Sequence, residues 1–225
     1  MDKFFDKYLE EEDFINLSAE KLKKYGFEHN NTIAGVCLCR DEICQSVLLK
    51  IKNLWGDFFN FSSFAGIYSS GEIGAKVFIS HAPDGEEKRV VFYVFTHIGL
   101  DEKGSIGICK RKGIEKSTAC GALILFLNEI LNFDKREKEE NPELIFIKQK
   151  LRKEISNRTP DLMELTKIAL HVSCNEIERT MENLVKSDKI VYALVSGIQV
   201  HYLDKNYILP MASFVVKDNK KIDLR

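Results

Sequence analysis

The stretch Arg89-Val90-Val91-Phe92-Tyr93-Val94-Phe95, with His97 almost directly after it, reads as a buried β-strand. An unbroken apolar run lacks the alternation of a half-solvated strand and suits one covered on both faces. Upstream, Thr32-Ile33-Ala34-Gly35-Val36-Cys37-Leu38 has the same character, bounded by Asn30-Asn31 and by Cys39-Arg40-Asp41. Between them, Ile43, Val47, Leu48, Ile51 and Leu54 recur at helical spacing and predict a helix over 43–55. Strand, helix and strand in this order predict an α/β fold: a central, mostly parallel sheet flanked by helices, with a helical and hairpin C-terminal segment packed on it.

Further out, residues 1–30 read as a polar helical arm with Ser18 as N-cap and Gly26 as stop. Residues 58–74, rich in Phe, Ser and Gly, read as a loop or helix approaching a site closely. A turn at Asp101-Glu102-Lys103-Gly104 precedes a short third strand over 105–109, and Lys110-Arg111-Lys112-Gly113 reads as a loop. Ser117 or Thr118 caps an apolar helix over 119–131, with Cys120 in its first turn, and the charged run 134–140 reads as a solvated turn. In the tail, Thr159-Pro160-Asp161 opens one helix and Ser173-x-x-Glu176 is a capping box for another. Strands over 190–194 and 198–202 follow, joined through Ser196-Gly197. The whole is expected to be one domain: arm 1–30, core 31–140 and tail 141–225.

Composition limits the partners. With 33 Lys+Arg against 34 Asp+Glu in 225 residues, no global field draws the chain to nucleic acid or an anionic membrane. The helix-helix-hairpin order of the tail has a winged-helix outline. Its charges are close to balance, however, and Glu176, Glu178 and Glu182 on the would-be recognition helix repel phosphate. No apolar stretch approaches the ~20 residues of a membrane span, and the start shows no targeting pattern, so a cytoplasmic protein is expected. Six cysteines without a secretion signal point to reduced thiols or metal ligands.

Ligands collect at the carboxyl ends of parallel strands and at helix N-termini, and Cys39, His97 and Cys120 are each expected at such a place. Two thiolates and an imidazole are a zinc set that leaves a fourth position for water, whose pKa zinc lowers toward ~7. The plainer alternative is that the cysteines are ordinary core residues and the histidine is bonded locally. Cys37 is expected to share a strand face with Cys39 but to belong to the core, and His81 to sit at a turn. Phe59, Phe61 and Phe64 either wall a small apolar pocket or are simply core.

The segments Cys39-Arg40-Asp41-Glu42, Asp57-Phe58-Phe59-Asn60-Phe61-Ser62-Ser63-Phe64-Ala65-Gly66, Thr96-His97-Ile98-Gly99 and Ser117-Thr118-Ala119-Cys120-Gly121-Ala122 resemble the limiting-CO2-inducible protein B/C family. So do Thr159-Pro160-Asp161-Leu162 and Ser196-Gly197-Ile198-Gln199-Val200-His201 in the tail. The resemblance implies a β-carbonic anhydrase-like site with zinc on Cys39, His97 and Cys120. It implies reversible hydration of CO2 to bicarbonate by zinc-bound hydroxide, and a homodimer. It also implies an Asp/Arg dyad in which Asp41 orients the nucleophile. β-Type enzymes place the arginine two residues beyond the aspartate, where this chain has Ile43, and Arg40 is the nearest substitute. The alternative within the same resemblance is a catalytically inactive zinc-binding relative acting in inorganic-carbon handling or as an assembly subunit.

Overall fold

A computed structural model describes residues 1–131, 141–155, 159–185 and 189–224; the charged run 134–140 therefore lies outside the described residues. Its strands are β1 (Leu9–Glu10), β2 (Thr32–Cys37), β3 (Phe58–Asn60), β4 (Lys88–Leu100), β5 (Ile108–Arg111), β6 (Ile114–Thr118), β7 (Ile190–Tyr202), β8 (Lys205–Lys217) and β9 (Lys220–Asp223). Its helices are α1 (Glu11–Lys23), α2 (Gln45–Trp55), α3 (Gly71–Ser80), α4 (Gly121–Leu131), α5 (Pro142–Ile155) and α6 (Leu162–Val185). The sheet runs β1-β8-β7-β4-β2-β3, with β9 on the outer edge of β8. Its interior pairings β3/β2, β2/β4 and β4/β7 are parallel, and β8 closes it antiparallel.

The apolar runs do what their composition predicts. β4 is buried from Val90 to Leu100 because helices cover both sides of the sheet. One half of the core takes Val91, Tyr93 and Phe95 together with Phe14 of α1, Ile51 of α2 and Phe126 of α4. The other takes Val90, Phe92 and Val94 together with Phe78 of α3 and Ile177 of α6. Each large side chain so buried is worth about 1.5–3 kcal/mol. No helix among the described residues is long and apolar enough to cross a membrane.

Several elements differ from their sequence readings, for physical reasons. Ser18 is not a cap: α1 starts two turns earlier, where Glu11, Glu12 and Asp13 meet the positive end of its dipole. Ser18 faces inward, its hydroxyl donating to Ile15 O at 2.7 Å. Ser173 does not open a helix either. Buried contacts on both sides of it carry α6 through without a break, and its hydroxyl accepts from Tyr68 N at 3.0 Å. The strands read at 190–194 and 198–202 are one strand, β7, with an irregularity between Val195 and Gly197. Its hairpin partner is the following strand, β8, so the hairpin is built into the sheet and does not stand free as a wing.

Candidate metal centre

The centre lies at the carboxyl ends of β2, β4 and β7. β2 stops at Cys37, and the chain turns so that Leu38 and Cys39 both enter the half of the core that holds Tyr93 and Phe95. Cys37 points into the other half, so the expectation that it shares a face with Cys39 does not hold. There its thiol donates to Gly66 O at 3.4 Å and lies 3.6 Å from Ser173 Oγ, and burial pushes it up to about 12. Cys39 forms a bridge with Ser63, which brings the 58–66 segment against the site. Gly66, at φ +69°, allows that approach: a Cβ there would lie 2.3 Å from Phe95 O.

His97 lies within β4, not after it, at the same alternate positions as Tyr93 and Phe95. Cys120 is delivered by a backbone contact near Gly99, where a Cβ would sit 2.4 Å from Ile108 O. With no side chain in the way, Gly107 N donates to Gly99 O and Ala119 N donates to Gly107 O. Cys120 then stands immediately before α4 and not in its first turn.

The three predicted ligands converge. Cys39, His97 and Cys120 each offer an atom within 4.8 Å of the others, and they are 5%, 1% and 1% exposed. Cys39 Sγ and Cys120 Sγ are 3.7 Å apart. A hydrogen bond from the Cys120 thiol draws the Cys39 thiol well below its ordinary range, against its burial. The same bond and burial push Cys120 up, so the pair shares one proton. Among the described residues, His97 Nε2 is buried with no hydrogen-bonding partner. A bare imidazole nitrogen beside two thiols, one already inclined to thiolate, is a donor set that would hold a zinc ion.

Asp41 is beside the triad, accepting from Ile43 N at 3.3 Å at the start of a short 3-10 turn. Its partner is Arg111, not Arg40. Arg111 Nη1 and Nη2 donate to Asp41 Oδ1 and Oδ2 at 2.6 and 2.7 Å, a bidentate fork. Arg111 also bonds Glu42, Ser117 Oγ at 2.8 Å and Thr118 O at 2.9 Å. Burial alone would raise the Asp41 carboxyl, but the Arg111 bonds hold it at about 2. Arg40 points away: its side chain is 53% exposed, donates to Glu143 Oε2 at 2.7 Å and to Ser62 O at 3.2 Å, and lies over the Phe64 ring. The expectation of an Asp41–Arg40 dyad thus fails on geometry. Arg111 was hidden because it lies far along the chain, in a Lys-Arg-Lys-Gly string read as a loop that is in fact the tight hairpin β5–β6.

A second histidine reaches the centre unannounced. His201, on β7, places Nε2 3.1 Å from His97 Nδ1 and 3.8 Å from Cys44 Sγ, while its Nδ1 donates to Asn206 Oδ1 at 2.8 Å. Burial lowers His201 to about 3 and keeps it neutral. The only signal in the sequence was the tail phrase that ends at His201.

The aromatic residues divide. Phe59 and Phe61 join Phe78 and Phe92 in the half of the core away from Cys39 and Cys120, and of the three only Phe64 packs on the side of those two cysteines. Phe59 and Phe61 are therefore not the wall of a pocket at the site. His81 follows α3 at a turn, beside the Phe59 ring.

The chain is similar to the crystal structure of limiting CO2-inducible protein LCIB, at 28% identity and a TM-score of 0.81, covering 99% of this chain and 97% of that one. It is also similar to PtLCIB4, a homolog of LCIB, at 17% identity and a TM-score of 0.85, covering 97% and 95%. No curated protein sequence matches it. A family model described as limiting CO2-inducible proteins B/C, beta carbonic anhydrases, matches residues 8–218. The chain belongs to that family.

Proposed function

We propose that this chain is a zinc-dependent carbonic anhydrase, a lyase that interconverts CO2 and bicarbonate, with Cys39, His97 and Cys120 as the zinc ligands. The observation that carries this reading is the orphaned, buried His97 Nε2 facing two converging cysteines, with a charged carboxylate clamped alongside. Zinc held there would supply a water acidified toward ~7.

The chain's own residues supply the orientation. Asp41, kept ionised by Arg111, is an acceptor only, so a water ordered against it places a hydrogen on the carboxylate and leaves a lone pair for CO2. Arg111 is anchored by Ser117 and the Thr118 carbonyl and cannot follow the substrate, so Asp41 keeps one position throughout. Burial of the ligands excludes bulk water and strengthens these interactions. A homodimer and a cytoplasmic setting belong to the same reading.

Stopped-flow CO2 hydration on zinc-loaded protein tests it, with azide as an anion expected to compete at the open coordination position. Loss of catalysis on zinc removal and inhibition by azide support the reading; hydration that survives both overturns it. The same burial favours one rival, a zinc-binding relative whose centre is closed under the Arg111 hairpin. That protein would take up zinc and hydrate no CO2.

A further inference from the structure

The hydrogen bonds behind His97 run in one direction and end on a buried charge. Glu11, 2% exposed, receives three donors: Lys50 Nζ at 2.9 Å, Gln199 Nε2 at 2.5 Å, and Ser46 Oγ, which lies 3.0 and 2.9 Å from its two oxygens. A carboxylate so surrounded can only accept, so the single hydroxyl proton of Ser46 points to Glu11. Asn206 must therefore turn its amide nitrogen to Ser46 Oγ, at 2.9 Å, and its oxygen to His201. The oxygen takes the proton on His201 Nδ1 at 2.8 Å. A buried imidazole between an amide oxygen and a second imidazole carries one proton, so His201 Nε2 is an acceptor. The proton between the rings, at 3.1 Å, then belongs to His97 Nδ1.

We infer that Glu11, Ser46, Asn206 and His201 are positioning residues that lock His97 in its Nδ1–H tautomer and so keep Nε2 bare for the metal. The inference rests on the zinc-site reading above and adds how that ligand is prepared. It explains why a carboxylate from α1, a hydroxyl from α2 and an amide from β8 meet in the interior: each passes the direction of one proton to the next. It also assigns Cys44, 3.8 Å from His201 Nε2, the role of a weak neighbour and not of a ligand in a second metal set with the two histidines.

The test reads the tautomer directly. Imidazole 15N NMR on the zinc-free chain at neutral pH is expected to show His97 protonated at Nδ1 and bare at Nε2; a proton on Nε2 overturns the inference. His201→Phe fills the space without an acceptor and should shift His97 toward Nε2–H and weaken zinc in chelator competition by on the order of 10- to 100-fold. His201→Gln, which restores an acceptor, should recover part of that affinity. Asn206→Ala releases the His201 tautomer from a half-buried position and repeats the test if His201→Phe does not fold. Unchanged tautomer and affinity in the folded variants overturn the inference while leaving the zinc site standing. Two zinc ions per chain, the second lost in Cys44→Ser, also overturn it, because His201 would then be a ligand. A wild-type chain that binds no zinc removes the functional reading, and the 15N spectrum still decides the proton order.

Discussion

Cys37 and Cys39 are two residues apart, 0% and 5% exposed, and differ in everything that follows from their neighbours. Cys37 meets a serine hydroxyl and a carbonyl among aromatic rings, and desolvation raises it to about 12. Cys174, buried on the same side, is likewise raised to about 12. Cys39 is buried nearly as deeply, yet the hydrogen bond from Cys120 reverses the sign and lowers it. Burial alone makes a thiol inert; convergence with a second thiol and an imidazole equips it to hold a metal.

The largest expected effect separates the two halves of the core. Cys39→Ser, Cys120→Ser or His97→Ala should abolish zinc retention and bring CO2 hydration to background, whereas Cys37→Ala and Cys174→Ala should keep both and lose about 1–2 kcal/mol of stability. Zinc analysis beside denaturant unfolding checks this, and a Cys37→Ala protein without zinc would break the contrast.

Next in size is the clamp. Arg111→Ala should retain zinc and lose hydration by on the order of 10²-fold, with Asp41→Ala close to it, since both remove one preorganised charged group. Full hydration by Asp41→Ala would take that carboxylate out of the reaction.

A smaller effect lies in acid. The Asp41 carboxyl is lowered to about 2 in the folded chain, against ~3.9 in an unfolded one. A depressed carboxyl contributes stability that is complete above the unfolded value and is lost as pH falls through the folded one. Discounted for partial exposure, this is about 1–2 kcal/mol at neutral pH. The stability gap between parent and Arg111→Ala should therefore be constant above about pH 5 and close between about pH 4 and 2. A gap that persists at pH 2 would assign it to packing instead.

The smallest effect belongs to Arg40, which is solvated and pairs with Glu143 across the surface. Arg40→Ala should leave zinc and hydration unchanged and cost at most about 1 kcal/mol. A loss like that of Arg111→Ala would return Arg40 to the site.

Much of this was open to a reader of the chain alone. The runs at 32–38 and 89–95 announce doubly covered strands because hydrophobic continuity over that length has few other uses. Cys39, His97 and Cys120 were recognisable through the short phrases around them, which a family resemblance ties together. What depended on distance along the chain was not legible. His201 reaches His97 because strand order places β7 beside β4, and Arg111 reaches Asp41 because the separate β5–β6 hairpin docks against the end of β4. Arg40 was the natural substitute by proximity, but the chain leaves the sheet at Cys39 and turns its side chain outward.

The sequence by itself determined the layered α/β arrangement and the chemistry of the three side chains that could hold a metal, because hydrophobic period and side-chain type are local properties. Only the tertiary structure decided which arginine holds the aspartate, which thiols face the histidine and which way the protons run behind it. Those are pairings across the fold, and their energies depend on separations of a few ångströms between residues 70 to more than 100 positions apart.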